Sequence, residues 1–274
     1  MTNQPKIPAK SYGILLRNSV QTEIQTVAEQ VRILGYGILD SGYSSTEIAE
    51  LSDEFNQIQN QYHAEFGLDK LTKINEQNSI RAMVTRSDRY LQMALNPKLL
   101  AVIQELILGK FILNQQNGII NPPQQDYNQG SWHRDLPYQH FVSSRPLAIN
   151  ALFCLDDFTI DNGATFVLPA SHKSEAFPSE EFMAANAKQI EARAGSFIVL
   201  DCMTYHSGGY NSTAKVRRGI NHLYTIPFIK QQIRFADSMA EASLDSVAKD
   251  ILGLNYLEPD TISRYLETRN KNSY

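Results

Sequence analysis

GSFIVLDCMTYH, residues 195–206, decides the fold. Phe197, Ile198, Val199 and Leu200 form an unbroken apolar run between a glycine and the turn Ser207-Gly208-Gly209. A run this short, β-branched and aromatic, bounded by turn residues, reads as a buried strand. Four stretches share that texture: residues 111–121 (FILNQQNGIIN), 146–158 (PLAINALFCLDDF), 163–171 (GATFVLPAS) and 217–228 (RRGINHLYTIPF). Asp161-Asn162-Gly163 is the clearest hairpin signal among them.

The chain on either side has a helical period. Val20, Ile24, Val27, Val31 and Leu34 predict a helix that Gly35 stops, and Tyr36–Leu39 a short strand. Ser44 followed by Glu47 looks like a capping box opening a helix through Leu51, Phe55 and Ile58 towards Tyr62. Residues 67–92 read as polar and irregular. Asn96-Pro97 opens another helix that Gly109 ends, and residues 239–253 and 259–269 return to helix. The expectation is one α+β domain over 1–274. Its jelly-roll core spans about 111–230, with helical flanks at 17–110 and 235–270. The first dozen residues read as a loose arm.

Composition narrows the class. The chain has 274 residues, 42% hydrophobic and 20% charged, with a formal net charge of −4. This is ordinary for a globular protein with a sizeable core. The acidic balance argues against nucleic acid as the main ligand. Cys154 and Cys202 form no CxxC and read as reduced core residues. No apolar run reaches the ~20 residues of a membrane span, and the N-terminus lacks a signal core, so a cytoplasmic location is expected.

The chemistry gathers around GSWHRDLPYQ, residues 130–139. Its His133-Arg134-Asp135 admits three readings: a metal grip, a kinase-like catalytic loop or a surface ion pair. The kinase reading needs an Asn five residues after the Asp, but His140 stands there, and no Gly-rich loop or DFG accompanies it. On a strand, residues i and i+2 share a face, so His133 and Asp135 point together, while Trp132 and Arg134 face away. Imidazole plus carboxylate is two thirds of the 2-His-1-carboxylate triad of non-haem iron enzymes. His206, ending its apolar strand, supplies the third donor. Arg217 begins the next strand, where a guanidinium can meet a carboxylate bidentately.

The ordered set WHRD, LDDFTIDNGATFVLPASHK, then HSGGYN with Arg217, resembles the phytanoyl-CoA dioxygenase family of Fe(II)/2-oxoglutarate oxygenases over roughly residues 27–230. The resemblance implies a double-stranded β-helix (cupin-like). It implies His133, Asp135 and His206 as iron ligands, and Arg217 as partner of the distal carboxylate of 2-oxoglutarate. A one-residue strand shift would give that part to Arg218. Asn114, Gln116, Asn150 and Ser207 are further candidates for holding the cosubstrate, and Arg81, Tyr138 and His140 for meeting substrate. Two departures stand out. The family often has Gly where Ala170 stands, and an aromatic near Asn150 or Ala151. His172 reads as structural, His222 as packing or as a neighbour behind the site residues, and His63 as solvated.

The implied activity is hydroxylation of an unactivated C–H of a small polar or natural-product molecule. It consumes O2 and 2-oxoglutarate and releases succinate and CO2, with ascorbate as an accessory reductant. Related halogenases replace the carboxylate ligand by a small residue, so Asp135 favours hydroxylation. Desaturation, cyclisation and epimerisation use the same ligands. A cupin-like metal-binding protein without oxygenase activity is the alternative. The oligomeric state is not legible.

Overall fold

The computed structural model describes residues 7–271 apart from 9, 137 and 240; the rest of the predicted N-terminal arm, residues 1–6, lies outside them. The helical flank comprises α1 (Glu23–Leu34), α2 (Ser45–Phe66), α3 (Leu68–Lys73), α4 (Asp88–Ala94) and α5 (Pro97–Ile107), with strands β1 (Tyr36–Asp40) and β2 (Ser79–Arg81) between them. The core adds β3 (Ile112–Asn121), β4 (Ala148–Cys154), β5 (Phe166–Val167), α6 (Glu180–Asn186), β6 (Lys188–Gln189), β7 (Ser196–Asp201), β8 (His206–Ser207) and β9 (Arg217–Thr225). Two helices follow, α7 (Ser246–Ile251) and α8 (Ile262–Lys271).

A six-stranded antiparallel sheet, ordered β1-β7-β4-β9-β3-β2, faces a three-stranded one, β6-β5-β8. This is the double-stranded β-helix expected from the sequence. Strands β4 and β7 are apolar without alternation because both of their faces are covered. Ile149, Ala151, Phe153, Phe197 and Val199 pack outwards against α1, α2 and α5. Ile198, Leu200 and Cys154 pack inwards with Val167 of the small sheet. Phe153 and Phe197 meet edge to face at 5.1 Å between centroids, and truncating either to Ala would cost about 3–5 kcal/mol.

Local signals set the ends. Ser44 and Glu47 make the expected capping box, and Asn96 caps α5 with Pro97 in its first turn. Four expectations need correction. Helix α1 starts at Glu23, where Thr22 caps it. Helix α5 ends on Leu108, which takes the left-handed conformation (φ 55°) in place of Gly109. Residues 67–92 are not irregular: they hold α3, β2 and α4, elements too short to show a period. The C-terminal helices begin later than expected, at Ser246 and Ile262. Tyr90, Met93 and Ala94 of α4 are buried, so tertiary packing rather than local propensity makes that helix.

Candidate functional site

The site rests on a small piece of backbone pairing. His133 and His206 form an antiparallel bridge, with N–H···O distances of 3.0 and 3.1 Å. Directly opposed residues share a face, so the two rings lie side by side, centroids 4.3 Å apart. The bridge is isolated, and the Asp135 amide donates to the Cys202 carbonyl at 3.1 Å, which fixes the segment two residues on with the Asp135 side chain on the same face as the rings. Asp135 Oδ1 then lies 3.6 Å from His206 Nε2 and 3.9 Å from His133 Nε2. One ligand atom from each residue falls within 4.8 Å of the others.

The protonation pattern suits a divalent cation. His133 Nδ1 lies 2.7 Å from the Ser131 carbonyl, and His206 Nδ1 lies 3.0 Å from that of Thr204. A carbonyl only accepts, so each Nδ1 carries the proton and each Nε2 lone pair faces the common point. Burial and the nearby His206 push the His133 imidazole below its ordinary pKa, which favours the neutral ligating form. Asn150 Nδ2 donates to Asp135 Oδ2 at 2.9 Å. The buried Cys202 thiol also contacts this carboxylate, and burial first, then the negative charge, push its pKa up. Two imidazole nitrogens and one carboxylate oxygen on one face are the donor set for ferrous iron with open positions.

Arg217 lines the same cavity, together with Tyr127, Asn150, Thr165 and Asn221. It is 2% exposed. Its Nη2 donates to Gly163 O at 2.8 Å and reaches Tyr127 Oη at 3.4 Å, and its guanidinium lies 4.0 Å above the Phe158 ring. Its Nε has no partner. Among the described residues no carboxylate lies within 4.0 Å of it. Burial lowers its pKa and raises that of Tyr127, yet an arginine stays charged. Arg218 points the other way. It pairs with Asp156 (2.7 Å) and bonds Asn56 and Ser52 of α2. Register sets this alternation, because Arg217 opposes Asn121 and Arg218 opposes Ile120 on β3.

A loop roofs the Arg217 end. Gln124 N donates to Asn211 O at 2.7 Å, Gly208 N to Gln129 O at 2.7 Å, and Asn128 Nδ2 to Asn75 O at 2.9 Å. The loop seats Tyr127 so close over Gly208 that a Cβ there would strike its hydroxyl. Gly163 needs its missing side chain twice. Its φ is 77°, and an added Cβ would collide with the Gly209 carbonyl.

Several expected residues lie elsewhere. Asn114 and Gln116 do not share a face, because a β-bulge interrupts the β3–β9 register between Leu113 and Gln115. Asn114 ties down the segment after β9 through Lys230 O and Gln232 N. Gln116 lies on the outer face, against Tyr90 O and His222. Ser207 alternates away from His206, and its hydroxyl turns onto Gly208 O. Tyr138 and His140 are exposed, their rings meeting edge to face, and neither lines the cavity; Leu136, just before them, is buried in a separate apolar cluster. Arg81 pairs bidentately with Glu76, on the same sheet face as Asn117 and, through it, Asn221.

The remaining histidines follow the reading from sequence more closely. His172 reaches Arg32 O at the end of α1, and His222 is fully buried on the outer face against Ala151 O. His63 is half-buried and bonds Gln77 O rather than standing free in solvent. Sequence reasoning missed Tyr127, Thr165 and Asn221. Tyr127 follows a polar, proline-rich run with no period, and Asn221 is one polar residue in an apolar strand. No spacing singles them out.

The chain belongs to the phytanoyl-CoA dioxygenase family, whose profile matches residues 32–219. With that membership goes an Fe(II)/2-oxoglutarate-dependent oxygenase type of activity, and the His133–Asp135–His206 cluster is a candidate donor set for the iron. An uncharacterized protein of Mycobacterium tuberculosis is 29% identical over 226 residues, 81% of this chain and 82% of that one. Two solved structures share the fold. EctD from S. alaskensis, crystallised with 2-oxoglutarate and 5-hydroxyectoine, superposes with TM-score 0.60 at 22% identity, covering 73% of this chain and 75% of that one. The non-haem α-ketoglutarate-dependent epimerase SnoN of nogalamycin biosynthesis has TM-score 0.58 at 18% identity, covering 81% and 89%.

Proposed function

We propose that this protein hydroxylates an unactivated C–H bond of a small polar or natural-product metabolite, with His133, Asp135 and His206 holding Fe(II) and Arg217 holding 2-oxoglutarate. The observation behind this is the conjunction of a three-donor cluster, whose two imidazoles line the cavity, with a buried arginine in the same cavity that has no carboxylate partner among the described residues. Ferrous iron with 2-oxoglutarate and O2 supplies the oxidising chemistry, and succinate and CO2 leave as co-products. The protein's share is binding, orientation and exclusion of water. Arg217 is set to receive the distal carboxylate of the 2-oxo acid, with the Tyr127 hydroxyl beside it. Leu152, Leu200 and Ile119 form the dry wall, and the Tyr127 loop covers it. The Nδ1-to-carbonyl bonds lock both imidazoles before any ligand arrives, so little reorganisation is required.

The substrate approaches by the face that bears Asn221, Asn117 and the Arg81–Glu76 pair, which suits a polar molecule better than a long acyl chain. Retention of Asp135 as the carboxylate ligand favours hydroxylation over halogenation. The test is anaerobic titration with Fe(II) and 2-oxoglutarate. The wild type should develop the weak visible band of the chelate and, in air, form succinate, while Asp135→Ala should do neither. Tight zinc binding without the band, or equal succinate from both proteins, contradicts the reading. Product analysis on a turned-over substrate separates hydroxylation from desaturation, cyclisation or epimerisation.

A further inference from the structure

We infer that Asn150 is a positioning residue that keeps the Asp135 carboxylate bound to the metal through one oxygen. This rests on the metal-site reading above and goes beyond it. Asn150 sits in the middle of β4, paired with Leu200 of β7 on one side and Leu223 of β9 on the other, so its backbone has little freedom. Its side chain is buried and faces the cavity. An ionised carboxylate only accepts hydrogen bonds, so the amide edge that meets Asp135 Oδ2 at 2.9 Å is the NH2 group. The same orientation leaves Asn150 Oδ1 buried without a partner. A buried acceptor without a donor is costly, so packing alone does not account for an amide at this place.

The consequence is a difference between the two carboxylate oxygens. Oδ1 lies near both Nε2 atoms, whereas Oδ2 is turned away and engaged by Asn150. A six-coordinate ion held by two imidazoles and one carboxylate oxygen keeps three positions open. A carboxylate that swings to bind through both oxygens closes one of them. A 2-oxo acid that chelates through two atoms then leaves no position for a third ligand. Asn150 therefore holds the count of open positions, in addition to strengthening the ligand as an outer hydrogen-bond partner.

Manganese(II) as a spectroscopic probe tests this without turnover. Asn150→Leu keeps the branched outline and removes the donor; Asn150→Ala removes both and serves if the larger leucine disturbs folding, judged by circular dichroism. Mn(II) affinity should fall about 10–100-fold, and water-proton relaxation should show one fewer exchangeable water on the bound ion than in wild type. Unchanged affinity and water count in a folded variant overturn the inference and leave the metal site standing. Failure of the wild type to bind Mn(II), Fe(II) or Co(II) overturns the metal site itself.

Discussion

Replacing Arg217 by Met should move stability and ligand response in opposite directions. The guanidinium is buried with Gly163 O, Tyr127 Oη and the Phe158 ring as company. Burying a cation without a counter-ion costs several kcal/mol. A charge-assisted hydrogen bond returns about 1.5–3 kcal/mol and the ring face about 2 kcal/mol. The residue therefore stands near or below break-even in the ligand-free protein. A methionine of similar length loses the charge and keeps the packing, so the ligand-free variant should be more stable by about 1–2 kcal/mol, as for other buried ionic groups replaced by apolar ones. For a chain of this size that is roughly 2–6 °C in Tm.

The cosubstrate side runs the other way. Removing one member of a desolvated guanidinium–carboxylate pair costs about 2–5 kcal/mol, or roughly 30-fold or more in Kd. With 2-oxoglutarate at 100 times the wild-type Kd, linkage stabilises the wild type by about 2.7 kcal/mol and the variant by under ~1 kcal/mol. Thermal unfolding of the Mn(II)-loaded proteins, with and without 2-oxoglutarate under argon, reads both effects. A variant that is less stable than wild type yet gains as much from 2-oxoglutarate would refute the assignment of Arg217.

Arg218→Ala should cost about 1–3 kcal/mol of stability, because its partners Asp156 and Ser52 are half-buried; KM for 2-oxoglutarate should stay unchanged. Ala170→Gly should raise the urea midpoint by the equivalent of about 0.5–1 kcal/mol, since Ala170 holds φ 61° and a non-glycine residue is strained there. Burial pushes the His222 imidazole down to about 4, whereas in the unfolded chain it titrates near 6.5. Its contribution is therefore full above about pH 6.5 and falls away towards pH 4, by on the order of 3 kcal/mol. Buried Asp201, pushed up to about 6, acts in the opposite sense, favouring the fold at low pH and losing that contribution as pH rises through 6. The difference in urea midpoint between wild type and His222→Leu, followed from pH 7 to 4.5, isolates the histidine.

The barrel and the candidate metal donors were legible because each carries a signal that survives without the rest of the structure. Strands β3, β4, β7 and β9 are apolar runs bounded by turns, and His133, Asp135 and His206 are the residue types that ferrous iron requires. Which of Arg217 and Arg218 faces inwards is a matter of parity, and parity needs only one correct pairing. The expectation that Asn114 and Gln116 would line the site together failed on two counts: Gln116 opposes His222 and faces outwards by the same parity, and the bulge before Gln115, which leaves no mark in sequence, takes Asn114 off the face of Gln116. The segment carrying α3, β2 and α4 was opaque for another reason. Its elements are three to seven residues long, shorter than the window in which a period is measurable.

The residue between His133 and Asp135 shows what else the HRD triplet does in this chain. Arg134 is buried, lies 4.0 Å above the Tyr205 ring and donates to the carbonyls of Gln139, Ser171, Ser174 and Glu175. These contacts fasten the loop after β5 to the segment carrying His133 and Asp135. Tyr205, under that guanidinium, immediately precedes His206, and its amide donates to Ser171 Oγ at 2.8 Å. The alternation that puts His133 and Asp135 on the cluster's face therefore aims Arg134 into a clamp that also grips the neighbour of His206. A two-residue strand such as β8 has too few backbone bonds to hold a metal donor to a few tenths of an ångström, and side chains on the opposite face supply the missing constraint. The triplet is one device with two faces: the first and third residues offer donors, and the second fixes the distance between them and His206.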